Sequence, residues 1–491
     1  MSKKSYFAFI LLSVLTITTS TIKAQSADDV LRYSLEYPSY DAISLVKPAV
    51  SSPTGFGAFQ ENPAVMALYK KSYFSFDLSS RFLDETGTYL GNRSNYSDNQ
   101  TGVGDIGILY KVPTSRGSLV IGGGYSQTTD FNRALSASGY NSQSTITDFY
   151  SSLPRNDGVN TAAYDAFAIE DVNADSSVSI LRYGANYSAY PGINQDIQLT
   201  ERGAMGEYSA FMATELLKNF TVGASIGYLN GSYAYRRDFL ESDRRNNFNG
   251  QIIDPIGDST YTDINNILSH DKINADIQAF SARLGFVYNP SKEFNFGMSY
   301  EFPSSLHIDE NYNTVITTTF DNGTQTQPQD APGKFSYKII RPQRLKAGFS
   351  AGFENLSLSA SAEFVPYTQG KIDYNQIQYT SQEDEINANV RSSLQDVINL
   401  RAGIEYKLNE QFTPRLGYAY FPSPQKGLDR SRNFLSGGFS AELTKGLMFD
   451  FGLQYSFWKD RNTMYNTPVT SESVRENVTR IHVMTGIRMQ L

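Results

Sequence analysis

Four stretches of this chain have residue types and spacings that could do chemistry. Gly223-Ala224-Ser225-Ile226-Gly227 spells a nucleophile elbow, in which a serine stands on a sharp strand-to-helix turn. Here Phe220, Val222, Ala224, Ile226 and Tyr228 alternate straight through the motif, so it reads as a chance match in mid-strand. Asp171-Val172-Asn173-Ala174-Asp175 copies the opening of a calcium loop. Ser176 and Arg182 stand where the glycine and the bidentate acid are needed, so the stretch reads as a solvated acidic loop. His270, His307 and His482 are scattered without metal-ligand spacing. A lipid-acting barrel enzyme would need one of them within hydrogen-bond reach of a nucleophile. No catalysis, cofactor or metal is expected. Gly122-Gly123-Gly124 lacks the spacing of a phosphate loop. Three glycines weaken a strand, and two readings stay open: a kinked wall with a side opening, or close packing of a plug against the backbone.

The elements that carry these residues are strands. From Ser72 to the C-terminus the chain shows fourteen segments of apolar/polar alternation. In the first, Ser72–Phe82, Phe74, Phe76, Leu78 and Phe82 share one face; Ser75, Asp77, Ser79 and Arg81 share the other. Gly104–Val112 and Gly117–Gln127 follow, then a long polar stretch from Thr128 to about Gly203. The twelfth segment is read as Phe434–Leu443. The thirteenth, Leu447–Trp458, alternates Phe449, Phe451, Leu453, Tyr455 and Phe457. Short connections are expected at one end and long ones at the other. That is the pattern of an up-and-down barrel in an outer membrane, where an even strand count closes the sheet and leaves no edge in lipid. The expected fold is therefore all-β: a fourteen-stranded antiparallel transmembrane barrel, residues 71–491.

On this reading the polar phase faces the lumen, because charge on the lipid face costs about 2–4 kcal/mol at the midplane. Arg283, Lys346, Glu363, Arg401, Glu405, Arg415 and Arg488 fall on that phase. Arg283, Lys346, Arg401 and Arg415 are candidates for receiving an anionic headgroup. The competing reading is a satisfied network of lumenal ion pairs.

Lys3 and Lys4, the apolar run Phe7–Ile17 and Ala24 before Gln25 read as a signal peptide, residues 1–24. The apolar run is shorter than the roughly 20 residues a spanning helix needs. Residues 25–70 contain Pro38, Pro48, Pro53 and Pro63, so they are not one regular element. A short helix is expected over Ala64–Tyr69, and the whole segment is expected to be a hatch inside the lumen. The composition includes 33 Tyr, 31 Phe and no Cys, which suits aromatic girdles and a sheet closed without disulfides. The formal charge of −8 speaks against nucleic acid as a partner.

Several motifs resemble the FadL/OmpP1/TodX-type outer-membrane transporters. Asp29-Val30-Leu31-Arg32-Tyr33-Ser34 looks like their opening, and Glu61-Asn62-Pro63-Ala64 after Gly57-Ala58-Phe59 resembles their hatch element. Phe280–Pro290, Asn399–Tyr406 and Arg415–Pro424 are similar to their strand-turn segments. Gly486, Met489 and Leu491 resemble the signal read by the barrel-assembly machinery, with leucine in place of the terminal aromatic. Ile43–Val50 departs from the small-residue run that precedes the hatch motif in that family. The resemblance implies passive uptake of long-chain fatty acids or other hydrophobic small molecules across a Gram-negative outer membrane. It implies a monomer among lipid and lipopolysaccharide, with gating at Asn62, Pro63 and Ala64 and lateral release beside a kink at Gly122, Gly123 and Gly124. The rival expectation is a surface adhesin or binding barrel acting through the long loop 128–203. An apolar cavity of roughly 300–1,000 Å³ between hatch and wall distinguishes the two.

Overall fold

The structure, a computed structural model, describes residues 26–37, 40–173, 176–182, 190–248, 263–468 and 470–491. The expected signal peptide lies outside them. Fourteen strands close into one antiparallel barrel. β1 is Tyr73–Tyr89, β2 Asn92–Val112 and β3 Leu119–Asp130 continued by Arg133–Asn141. β4 is Ile193–Leu217, β5 Phe220–Ser242 and β6 Ile264–Tyr288. β7 is Phe294–Glu301 with Ser304–Phe320, and β8 is Gln329–Arg341 with Arg344–Phe353. β9 is Leu356–Val365 with Lys371–Asp373, β10 Val397–Tyr406 and β11 Phe412–Phe421. β12 is Arg432–Thr444, β13 Leu447–Asn466 and β14 Ser471–Gln490. β14 pairs with β1 from Tyr73↔Gln490 to Thr88↔Arg475, so the sheet has no free edge at the seam.

The outward phase is the expected one. Phe82, Ile108, Phe280, Phe296, Leu416, Leu453 and Phe457 are exposed in a band. In water such a surface would be untenable; against hydrocarbon it is what holds the barrel in place.

Above that band the strands run on, and here the structure corrects the sequence reading. The expected long connection between the first two strands is a two-residue turn at Leu90 and Gly91. The expected loop 128–203 is itself strand at both ends, leaving 142–192 as the connection. Ahead of the tenth strand the chain forms a helix, Thr380–Ser393. The expected helix over Ala64–Tyr69 is a 3-10 turn, Pro63–Leu68. Once a strand leaves the bilayer both of its faces meet polar surroundings. The hydrophobic alternation then fades while the backbone ladder continues.

The rim is uneven. β4, β5 and β6 have 25, 23 and 25 residues, whereas β10 and β11 have 10 each. The described residues of this connection, 142–173, 176–182 and 190–192, fold over the tall side. The helices Ile146–Ser152 and Gly158–Asp165, with a small hairpin (Ile169–Asn173 and Ser176–Ser179), share a core with Leu135, Phe239, Ile267, Phe320 and Tyr465. This loop is a packed roof rather than a free arm.

Residues 26–70 lie inside the barrel and bond to strands around its circumference. Thr221 of β5 donates to Ala64 O at 3.3 Å, Ser299 of β7 to Glu61 O at 2.5 Å, and Gln454 of β13 to Leu45 O at 3.2 Å. The Ala42 N–H donates to Asp77 of β1 at 3.1 Å. The segment opens with the helix Ala27–Ser34, capped by Ser26 and Asp29. Its apolar face packs with Phe131, Tyr233, Leu306 and Tyr337.

Candidate functional site

The site is built from three parts: the turn at Asn62, a cavity under the roof, and an unpaired stretch of wall. Asn62 is fully buried and makes three hydrogen bonds. Its Nδ2 donates to Val50 O at 2.7 Å and to Phe286 O of β6 at 3.1 Å; its Oδ1 accepts from Ala64 N at 3.0 Å. Pro63 opens the 3-10 turn, where a missing N–H costs nothing. This turn presses on the wall at glycines. A Cβ at Gly223 would lie 2.6 Å from Pro63 C and from Ala64 N, and one at Gly285 would collide with Asn62 Oδ1. The mid-strand Gly223 of the elbow-like motif is thus explained by close approach. Gly223→Val is expected to eject the 62–68 turn while the barrel persists. Hydrogen exchange at Ala64 to Leu68 would show it as at least tenfold faster opening; unchanged protection would refute the packing argument.

Asp41 fixes the neighbouring part of the segment. Its carboxylate accepts from Gly57 N at 2.6 Å, Ser44 N at 2.7 Å and Ile43 N at 2.9 Å. Burial pushes its pKa up to about 6 against the pull of these N–H groups.

The four candidate headgroup residues are all engaged. Arg283 grips Glu207 with two bonds, at 2.8 and 2.9 Å, and reaches Glu301 at 3.3 Å. Lys346 lies 3.6 Å from Glu363 and 3.9 Å from Glu301. Arg401 bonds Glu61 and the Ser44 carbonyl, and Arg415 bonds Glu405 at 2.6 Å and Ser440 at 2.7 Å. They face the lumen as expected, and each is held in the ion-pair network. Arg401, with Lys346 donating to Gln60 O at 3.4 Å, ties the N-terminal segment to the wall.

Under the roof lies a cavity of about 560 Å³. The helix Ala27–Ser34 forms one side, and Phe131, Tyr233, Tyr235, Trp458 and Arg432 line others. Arg430, also on its lining, bridges Asp28 at 2.6 Å and Asp460 at 2.5 Å. Aromatic faces alternate there with a dense and nearly balanced set of charges, seven carboxylates and six arginines, which suits an amphiphilic ligand better than a purely apolar one.

Beside this cavity the backbone ladder between β2 and β3 stops. β2 and β3 pair only from Val112↔Leu119 to Asp105↔Ser126. Farther out, β3 shifts register between Gln127 and Thr129 and stays bonded to β4 alone, while β2 stays with β1. Gly122, Gly123 and Gly124 sit just inside this point, with both ladders intact. Gly124 is instead a close-packing position: its Cβ would meet Phe56 of the N-terminal segment at 2.8 Å. Side chains cross the gap. Asn132 bonds Gln100, Asn92 donates to Ser138 O at 3.1 Å, and Arg202 meets Asp98 at 3.3 Å.

Among the described residues one nucleophile–histidine contact is seen: Ser79 Oγ and His482 Nε2 are 2.8 Å apart. Both are buried, His482 Nδ1 has no partner to orient it, and no cavity described here is lined by either residue. The geometry lacks the acid and the substrate space that a hydrolase needs. Asp171 of the calcium-like stretch pairs with Arg155, and Asp175 lies outside the described residues. Among the described residues no cluster of His, Asp and Glu forms a metal site.

The family model described as "Outer membrane protein transport protein (OMPP1/FadL/TodX)" matches residues 206–485. The chain belongs to this family. As an OMPP1/FadL/TodX protein it is a transport protein of the outer membrane and not an enzyme. No curated protein matches it. Two solved structures share the fold. The P. putida toluene transporter TodX is 14% identical, covering 93% of this chain and 99% of its own, with a TM-score of 0.56. A Pseudomonas aeruginosa FadL homologue is 14% identical with the same coverage and a TM-score of 0.53. For this OMPP1/FadL/TodX chain, sequence reasoning named Asn62 and the lumenal cations but missed the cavity lining. Arg432 escaped because the twelfth strand was started two residues late, at Phe434; its inward phase was the available signal.

Proposed function

We propose that the protein carries hydrophobic or amphiphilic small molecules, long-chain fatty acids and aromatic compounds among them, from the outside into the outer membrane. The solute enters the cavity from the low rim, is desolvated against the aromatic residues, and leaves sideways between β2 and β3. Residues 26–70 act as a hatch whose movement about Asn62–Ala64 admits the solute to the lumen below. The carrying observation is that Asp130 and Asn132 line the cavity and also stand at the unpaired stretch of wall. A solute in the cavity is therefore one side-chain layer from the outside of the wall, at the upper edge of the apolar band. The route runs beside the glycine run, just beyond Gly124.

The test uses the absence of cysteine from the chain. Gln100→Cys and Asn132→Cys are joined by a short, reducible thiol cross-linker. Uptake of labelled oleate and of toluene into proteoliposomes is expected to fall at least tenfold on cross-linking and to return on reduction. Uptake that ignores the staple would rule out lateral release at this place. The adhesin reading loses its main support, since the loop it relied on is packed into the roof.

A further inference from the structure

The lipid-facing side of the tall wall carries a groove of its own. Register places Tyr125 of β3, Tyr208 of β4, Tyr228 of β5 and Phe280 of β6 in one row across the wall. Below this row the outward residues of β5 and β6 are apolar, Ile226, Leu284 and Phe286 among them, down to Phe220 and Tyr288 at the far border. From Phe220 to Tyr228 is eight residues, about 20 Å along the axis at 3.3 Å each and a tilt near 40°. The row of rings is therefore the upper aromatic girdle, at the headgroup level of the outer leaflet.

Directly above the row, a groove of about 440 Å³ runs across β3 to β7. Small residues make its floor: Ala204, Gly206 and Ser232. The Tyr125 ring lies over Gly206, where a Cβ would collide with it. Gly203, with φ +130°, bends β4 just above. Tyr125 and Tyr208, ring centres 5.1 Å apart, form the lower side. Asn230, Ser232, Asp276 and Gln278 line the rest, and their side chains make no hydrogen bond or ion pair among the described residues. Asp309 stands directly opposite Asp276. Its carboxylate accepts from Ser336 at 2.5 Å and lies 3.4 Å from His307. Like charges facing each other across a ladder destabilise it, and no Lys or Arg lines the groove.

Free acceptors, ring faces and two carboxylates suit a cation that donates hydrogen bonds. One ladder step deeper, about 5 Å along the axis, the charge reverses: His307 stands there, with Lys338 opposite it on β8. The order, acids outside and bases inside, complements a headgroup whose ammonium lies outside its phosphate. We infer that the groove holds a phospholipid with a phosphoethanolamine head, its ammonium between Asp276 and Asp309 and its acyl chains on the apolar band below Phe280. Such a lipid fixes the depth at which the tall side stands. The inference concerns the outer face of the wall and is independent of the transport reading.

The test places the full-length protein in nanodiscs of equal parts dioleoyl phosphatidylethanolamine, phosphatidylcholine and phosphatidylglycerol. Detergent strips the bulk lipid, and native mass spectrometry counts what stays bound. Phosphatidylethanolamine is expected to exceed each of the others at least fivefold, because choline has no N–H and glycerol no charge. Asp276→Asn with Asp309→Asn should lower the excess below twofold; both side chains are exposed, so the barrel is expected to fold unchanged. A carbodiimide, which joins a carboxylate to a primary amine as an amide and leaves as a urea, locates the amine. Phosphatidylethanolamine adducts are expected at Asp276 at least tenfold above those at Glu354, an exposed acid in the β8–β9 turn at the opposite headgroup level. Equal retention of the three lipids overturns the inference. So does equal labelling of Glu354 and Asp276, and so does an excess that survives the double substitution.

Discussion

Removing residues 26–70 is expected to turn an electrically silent barrel into a conducting pore. The described residues of the segment bond to β1, β5, β6, β7, β8, β10 and β13. Without it, Lys346, Arg401, Glu363 and Glu405 would line a water-filled passage. A fourteen-stranded barrel is nearly as wide as the porins of 16–18 strands that leave an aqueous channel. The pairing of strands needs nothing from the segment, so the barrel is expected to fold and to keep its heat-modifiable mobility. Planar-bilayer recording would show steps for the truncated protein and none for the full chain. A silent but folded truncated barrel would mean that the roof or a collapsed wall seals the lumen. The hatch reading would then be lost.

Arg283→Met is expected to cost about 3–5 kcal/mol, because it strands the buried Glu207 carboxylate and leaves Glu301 only the longer contact with Lys346. Glu207 and Glu301 have almost no contact with solvent, and Arg283 meets both. Denaturant unfolding of the refolded barrel in lipid would measure the loss. The companion Arg283→Met with Glu207→Gln is expected to regain most of it, since removing the charge removes the burden. A single variant as stable as the unaltered protein would show that water reaches these groups and that the lumen is wetter than its packing implies. The same variant bears on function: weakening this knot loosens the wall beside the Asn62 turn without touching the cavity.

What the sequence disclosed follows from where each strand lies. In the bilayer, Phe74, Phe76 and Leu78 alternate with Ser75, Asp77 and Ser79, and strand number, direction and inward phase could all be read. Beyond it, Asp84–Tyr89 and Asn92–Thr101 carry no such contrast, yet they pair residue for residue. Loops were therefore expected where the ladder continues. The same limit hid the candidate site, which lies at and above the edge of the apolar band. Asn62-Pro63-Ala64 was legible because capping and proline chemistry are local. That Arg283 and Arg401 are consumed by Glu207 and Glu61 was not, because those partners are 76 and 340 residues away along the chain. The gap between β2 and β3 leaves no compositional trace, since an unpaired backbone uses the same residue types as a paired one above the membrane.

The uneven rim sets where the protein meets its surroundings. Twenty-five residues in β4, at about 3.3 Å each and a tilt near 40°, rise about 60 Å along the barrel axis, more than twice the roughly 25 Å apolar band. On that side the barrel is a palisade tall enough to stand through the sugar layer that coats such a membrane. On the side of β10 and β11 the wall has strands of 10 residues and ends near the headgroups. The molecule thus has a windward and a sheltered flank. On the proposed route solutes would be collected in the lee of the palisade, and neighbouring barrels packing against the low flank would narrow the approach. Crowding in the membrane, and not only solute supply, would then set the rate of uptake.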